Sequence, residues 1–178
     1  SGYSIAFFIM MFVGLPHLRT QGLTIIFFTS SQSINELRKF LSYWIVFVTM
    51  IAIFITHGPL SNFLLTEVFI IDESLIASVT KALNWLIPFP GLMIIRMHLY
   101  GAAFRLSKKN IALWSNAVGI ITIFSFASIF FFFDIFSGSA IAASSITLGI
   151  SCEVLFLGIY TYKDTKKYVL SYKEKTEH

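Results

Sequence analysis

Long apolar stretches, separated by short polar ones, organise the chain. A helix that crosses a bilayer needs about 20 mostly apolar residues, and five stretches reach that length. The first runs over 2–30 and is interrupted by Pro16 and the polar run "HLRTQ". The second, over 39–57, is carried by "FLSYWIVFVTMIAIFITHG", residues 40–58. The third, over 75–104, contains "LIPFPG" and then Arg96 and His98. The fourth covers 111–133 and the fifth 138–161. Between the second and third lies "PLSNFLLTEVFII", 59–71, too short to cross again, which reads as an amphipathic segment lying at the interface. The expected fold is all-α: an integral membrane bundle of about five transmembrane helices over 1–161, one of them proline-broken, followed by a basic tail over 162–178.

Composition strengthens this picture. The 178 residues are 56% hydrophobic with mean hydropathy +0.79, and only 12% are charged. Soluble domains carry about twice that charge, so a soluble core is a poor alternative. The single cysteine, Cys152, excludes an internal disulfide and any multi-cysteine metal site. The apolar run at the start has no basic flank and no cleavage-like site, so it does not read as a signal peptide. There is no initiating Met. The expectation is a chain whose beginning is missing, either a fragment or a processed product.

Basic residues set the orientation, because cytoplasmic connections are enriched in Lys and Arg. Arg38 and Lys39 follow the first span. Arg105, Lys108 and Lys109 follow the third, and Lys163, Lys166, Lys167, Lys173 and Lys175 follow the fifth. The connections at 58–74 and 134–137 contain neither Lys nor Arg, but hold Glu67, Asp72, Glu73 and Asp134. This strict alternation puts the first residue outside and the carboxyl terminus in the cytoplasm of a multi-pass protein, with compact loops that suggest a bacterial inner membrane. The net charge of +4 is accounted for by this bias and calls for no nucleic acid.

Arg19, Arg96 and Glu153 fall inside spans. Charges there are costly and usually face a bundle interior or a wet cavity. At about 1.5 Å of rise per residue, all three lie in one slab on the cytoplasmic side of the midplane. The bland readings are that the arginines snorkel towards the headgroups and that Glu153 is a structural counter-ion. The functional reading is a cavity with excess positive charge and one titratable acid, suited to a small anionic or zwitterionic substrate and to proton coupling; sodium coupling is the other option. His17 and Gln21 share a helix face, whereas Arg19 points about 200° away from His17, and His98 stands in the same relation to Arg96. No metal set emerges from the four scattered histidines, His178 among them.

Pro88 and Pro90 each remove a backbone donor, and Gly91 adds freedom. Pro16 can distort the first span in the same way. Carbonyls freed at membrane depth must be met by protein or cavity water. Interrupted helices are a recurring feature of secondary transporters, where they line sites and act as hinges; a kink driven by packing alone is the bland alternative. In the fifth span, small residues at a spacing of four (Gly138/Ala142, Ala140/Ser144, Ser145/Gly149) favour close helix approach. No HExxH, Walker loop, GxSxG, TVGYG or pair of acids in one span suggests an enzyme or a potassium channel.

"GLPHLRTQGL…INELRKFLSYWIVFVTMIAIFITHGPLSNFLL", an acidic loop, and "LNWLIPFPGLMIIRMHLYGAAFRLSKKNIALWSNAVGI" together resemble the second half of a transporter of the multidrug/oligosaccharidyl-lipid/polysaccharide flippase superfamily (MATE-like). The nearest flavour is the progressive ankylosis protein family. The resemblance extends over essentially the whole chain. It implies the carboxyl-terminal lobe, without its first helix, of two six-helix lobes around a central cavity that rocks between two openings. It also implies a missing amino-terminal lobe of the same chain, where many such antiporters keep their coupling acids. Transported drugs, lipid-linked sugars or organic and phosphate-bearing anions would follow, and the arginines favour the anions.

The expected function is therefore that of part of a secondary transporter or flippase. Arg19, Arg96, Glu153, His17, Gln21 and His98 are its candidate cavity residues, and Pro16, Pro88, Pro90 and Gly91 its candidate hinges. The alternative is a complete five-span accessory or assembly subunit whose intramembrane charges pair with a partner's helices.

Overall fold

The computed structural model describes residues 2–58, 61–136 and 138–176; the side chains at 61, 163 and 166–176 are also left aside. Positions 59–60 of the expected interfacial segment and 177–178 of the tail, His178 among them, lie outside the described residues. The described chain is all-α. Its helices are α1 (Gly2–Val13), α2 (His17–Phe27), α3 (Ser31–His57), α4 (Ser61–Phe63, continued by a π-helical turn over Leu64–Val68), α5 (Glu73–Leu86), α6 (Phe89–Arg105), α7 (Lys109–Phe132) and α8 (Gly138–Thr176).

Five segments are long and apolar enough to cross a membrane: Gly2–Phe27, Ser31–His57, Glu73–Arg105, Lys109–Phe132 and Gly138–Tyr162. They match the five expected stretches, with two differences at the basic end. The second span begins at Ser31, so the connection expected near 31–39 is already helix. Its start is capped by Ser30, whose hydroxyl accepts from the Ser33 amide at 3.1 Å. The fifth helix continues through the expected tail to Thr176. Neither extension is apolar, which is why hydropathy alone read them as loop and tail.

Both expected interruptions are present. Around Pro16 the chain crosses from α1 to α2 on tightened i→i−3 bonds, with Leu15 N donating to Phe12 O and His17 N to Gly14 O. Pro16 has no amide hydrogen for Phe12, and Leu15 supplies one instead. Between α5 and α6, residues 87–88 form a turn and Pro90 sits in the first turn of α6, where a proline is tolerated. Thr147 of α8 closes the accounting at this break. Its Oγ1 lies 2.9 Å from the Trp85 carbonyl and 2.9 Å from the Ala143 carbonyl of its own helix, so its hydrogen is shared between α8 and the proline-interrupted ladder.

The two interrupted spans lie side by side and run in the same direction, with α1 packed on α5 and α2 on α6. α8 packs against α5, α6 and α7, while α3 rests on α6 and α7 chiefly on α8. Burial follows this order. Half of the apolar window is buried in the third and fifth spans, but only 22% in α3 and 11% in α7. The bundle is thus centred on α5–α6 and α8. Its outer helices expose apolar residues such as Met50, Phe124 and Phe131, a surface suited to acyl chains and unsuited to water.

Apolar side chains gain little by leaving lipid for one another, so close contact and interhelical hydrogen bonds must hold such a bundle. Gly101 marks the tightest crossing of α2 on α6. A Cβ there would come 2.7 Å from Thr24 Cβ and 2.8 Å from the Gln21 carbonyl oxygen. Ser78 and Ser139 join α5 to α8 at the acidic end through a 2.9 Å hydroxyl pair. Lys108 and Asp164 join the α6–α7 turn to α8 at the basic end, at 2.8 Å.

Candidate functional site

Arg96 on α6 and Glu153 on α8 meet inside the bundle. Each stands nine residues before the end of its span, a depth of about 13 Å at the rise of an α-helix. Arg96 Nε donates to Glu153 Oε1 at 2.9 Å. The acid is almost fully buried, with 3% of its side chain exposed, whereas 20% of the arginine side chain is open. The pair is therefore sealed on the glutamate side and accessible on the arginine side.

A polar shell completes the pair. Tyr100, one turn on from Arg96, donates its hydroxyl to the same Glu153 oxygen. Ser115 Oγ lies 3.3 Å from the Tyr100 hydroxyl and 2.8 Å from the Ala112 carbonyl. Arg96 Nη2 donates to Asn116 Oδ1 at 3.4 Å, and the guanidinium carbon stands 5.4 Å from the centre of the Tyr100 ring. Gly119, one turn beyond Ser115, lets Glu153 press against α7. Two positive charges and several amide and hydroxyl groups open onto a cleft of about 420 Å³ between α2, α6 and α7. Its walls include Gln21, Arg96, Tyr100, Lys109 and Asn116, with Met97 and Leu113 among its apolar residues.

The sequence-predicted residues divide into two groups. Arg96 and Gln21 line this cleft, and Glu153 is bound to Arg96 behind its wall. His17, Arg19 and His98 do not line it. His17 is buried and its Nδ1 is hydrogen-bonded to the Gly14 carbonyl. It thereby supports the Pro16 interruption. His98 is buried between α6 and α2, with Nδ1 3.0 Å from Thr24 Oγ1.

Arg19 corrects the expectation of a three-charge cavity. It is exposed on the outer face of α2, and its side chain makes no hydrogen bond or ion pair with any described residue. The helix period is the reason: two residues from buried His17 place Arg19 on the far side.

The prolines and Gly91 stay in the helix interruptions and outside the polar cleft. Gly91 instead receives α3, where an added Cβ would meet Ile45 and Thr49 at 3.1 and 3.2 Å. Four residues that shape the cleft escaped the sequence reading: Tyr100, Lys109, Ser115 and Asn116. The "SN" pair inside the apolar "IALWSNAVGI" was the available signal for the last two. Lys81 also escaped it. This lysine, eight residues into the third span, is exposed and borders a separate cleft of about 340 Å³ with Asn84, Trp85 and Phe136. Among the described residues, no group of three or more His, Cys, Asp or Glu could hold a metal ion.

No known family model matches the chain, and no curated protein or solved structure matches it significantly.

Proposed function

We propose that this chain forms the carboxyl-terminal part of a secondary transporter or flippase that moves a small anionic or amphiphilic molecule by alternating access. The observation that carries the reading is the cleft at Arg96. A charged pair at membrane depth is open on its cationic side, beside a second cation and neutral hydrogen-bonding groups. A pair that served packing alone would be expected to be closed on both sides, since membrane charges are expensive unless satisfied. The two interrupted helices packed against each other supply elements that can bend. The membrane would be a bacterial inner membrane, with the basic end and carboxyl terminus in the cytoplasm. Arg19 would then face a second lobe of the same chain.

Site-directed labelling tests this without knowledge of the substrate. Cys152→Ser gives a cysteine-free background, into which Asn116→Cys or Gln21→Cys is introduced. Labelling by a membrane-impermeant maleimide is followed in inside-out and right-side-out vesicles, with and without a proton or sodium gradient. An alternating-access protein changes its labelling rate at these positions when a gradient is applied, while a control cysteine at lipid-facing Phe124 does not change. Identical rates at all positions under all gradients would refute the transport reading.

Exposed Arg19 favours a second reading, that of an accessory subunit whose α2 pairs with a partner helix carrying a carboxylate. That reading predicts gradient-independent labelling at Asn116→Cys, together with a cross-link from Arg19→Cys to a second polypeptide.

A further inference from the structure

Glu153 holds Arg96 through Nε alone, and Nη2 turns to Asn116 and the cleft. One guanidinium therefore faces an internal carboxylate on one edge and the space for an incoming anion on the other. At rest the pair is neutral. An anion seated on Arg96 while Glu153 stays ionised would leave two negative charges sharing one positive charge at membrane depth. Like charges at such range favour uptake of a proton by the acid.

The polar shell is built for both states of that acid. When ionised, Glu153 Oε1 accepts from Arg96 Nε and from the Tyr100 hydroxyl. When protonated, the carboxyl needs an acceptor, and the Tyr100 oxygen becomes one if its own hydrogen turns elsewhere. A second acceptor stands ready: the Ala112 carbonyl lies 3.4 Å from the Tyr100 oxygen. The Ser115 hydroxyl, alongside, can donate to whichever of these oxygens is left free.

Resting on the anion-transport reading above, we propose that Glu153 is the coupling residue: an anion takes over Arg96 as Glu153 takes up a proton, so that anion and proton cross together. The proton comes from hydronium or buffer acid of the bulk aqueous phase, whose O–H or N–H bond is the one broken, and lands on a Glu153 carboxylate oxygen. The site goes from Arg⁺ with Glu⁻ to Arg⁺ with the anion and neutral Glu, so its charge is unchanged for a monoanion and falls by one for a dianion.

The surroundings offer no competing acid. From α6 the charged or titratable neighbours of Glu153 are Arg96 and Tyr100. From α7 the side chains at its level are neutral Ser115 and Asn116, with Lys109 farther along the cleft. On α5, Lys81 borders the separate cleft beside Ala140, about 20 Å of helix away from Glu153. α1 contains no Asp, Glu, Lys, Arg or His.

Calorimetry on the full chain in lipid nanodiscs tests the exchange, using sulfate and hexanesulfonate as probes. Both are fully ionised near neutral pH, so any proton taken up belongs to the protein. Titration in two buffers of different ionisation enthalpy counts those protons. The expected result is proton uptake on binding. Affinity falls about tenfold per pH unit wherever free Glu153 is ionised, as linkage requires for one coupled proton. Glu153→Gln is expected to bind without proton uptake and with pH-independent affinity. Wild-type binding without proton uptake, or uptake that survives in Glu153→Gln, would overturn the coupling while leaving the anion site standing. Binding that requires sodium and takes up no proton would overturn it in favour of a cation. Absence of binding by wild type and Glu153→Gln alike would overturn the anion reading itself and the coupling with it. The wild-type proton count stands alone if the variant fails to fold.

Discussion

Gly119 of α7 lies directly against the carboxylate of Glu153 on α8: a Cβ at 119 would sit 2.8 Å from Oε2 and 3.4 Å from the Glu153 Cβ. The absence of a side chain at 119 is what lets an acid occupy the α7–α8 contact, with Oε1 held by Arg96 and Tyr100 and Oε2 set against the glycine. Gly119→Ala should therefore push Glu153 away from its place beside Arg96 and cost about 1–3 kcal/mol, the usual penalty of overpacking. Gly138→Ala is the control, because nothing lies within 4 Å of an added Cβ there. Unfolding of the purified variants in detergent checks the pair. Equal stability of Gly119→Ala and wild type would mean that the acid is not held as described.

The Arg96–Glu153 pair should show strong non-additivity. Arg96→Gln leaves a nearly sealed carboxylate without its cation. Breaking a buried pair by removing one partner costs roughly 3–5 kcal/mol, and the open side of Arg96 places this case towards the low end of that range. Arg96→Gln/Glu153→Gln removes both charges and should regain most of the loss. A double-mutant cycle measured by thermal unfolding decides the matter. Additive losses would show that the two charges do not share one interaction.

The depth of this pair was legible from the chain because both charges sit in long apolar runs whose ends are marked by lysines and arginines. So was the divergence of Arg19 from His17, since a separation of two residues always places side chains on nearly opposite sides of a helix. The partners of Glu153 were not. Tyr100 and Ser115 are ordinary constituents of membrane helices, and only the packing of α6 and α7 around α8 turns them into a shell. Depth also proved insufficient for Arg19, because equal depth on two helices says nothing of which faces meet. The helical start at Ser31–Lys39 and the long run of α8 to Thr176 were hidden for another reason. Hydropathy detects where a helix is apolar, and these turns are helical without being so.

Thr147 should matter more than its neighbours in sequence suggest. Its hydroxyl lies 2.9 Å from both the Trp85 carbonyl at the Pro88 break and the Ala143 carbonyl of its own helix and shares its one hydrogen between them, while the Thr161 hydroxyl bonds only within its own helix, to Leu157 at 2.6 Å. Thr147→Val keeps the shape and removes the donor. The expected cost is about 1 kcal/mol, between the small average for membrane hydrogen bonds and the penalty for an unsatisfied carbonyl. Amide hydrogen exchange around 86–92 should accelerate with it. Thr161→Val should leave both quantities unchanged. If the two valine variants behave alike, the break is not secured by α8.

Two glycines separated by one helix crossing should respond in opposite directions. Gly101→Ala meets Thr24 and the Gln21 backbone, so α2 and α6 must separate and the His98–Thr24 bond must lengthen. A loss of about 1–3 kcal/mol is expected. Gly22→Ala meets nothing within 4 Å and lies inside α2, where alanine is favoured over glycine by up to about 1 kcal/mol. It should be neutral or stabilising in detergent. The difference also bears on Arg19, since Gly22 belongs to the same exposed face of α2. If that face is covered in the native membrane, Gly22→Ala should disturb labelling at Arg19→Cys in vesicles while leaving the stability of the purified chain intact. If labelling and stability are both unaffected, α2 faces lipid there and Arg19 reaches the headgroups on its own.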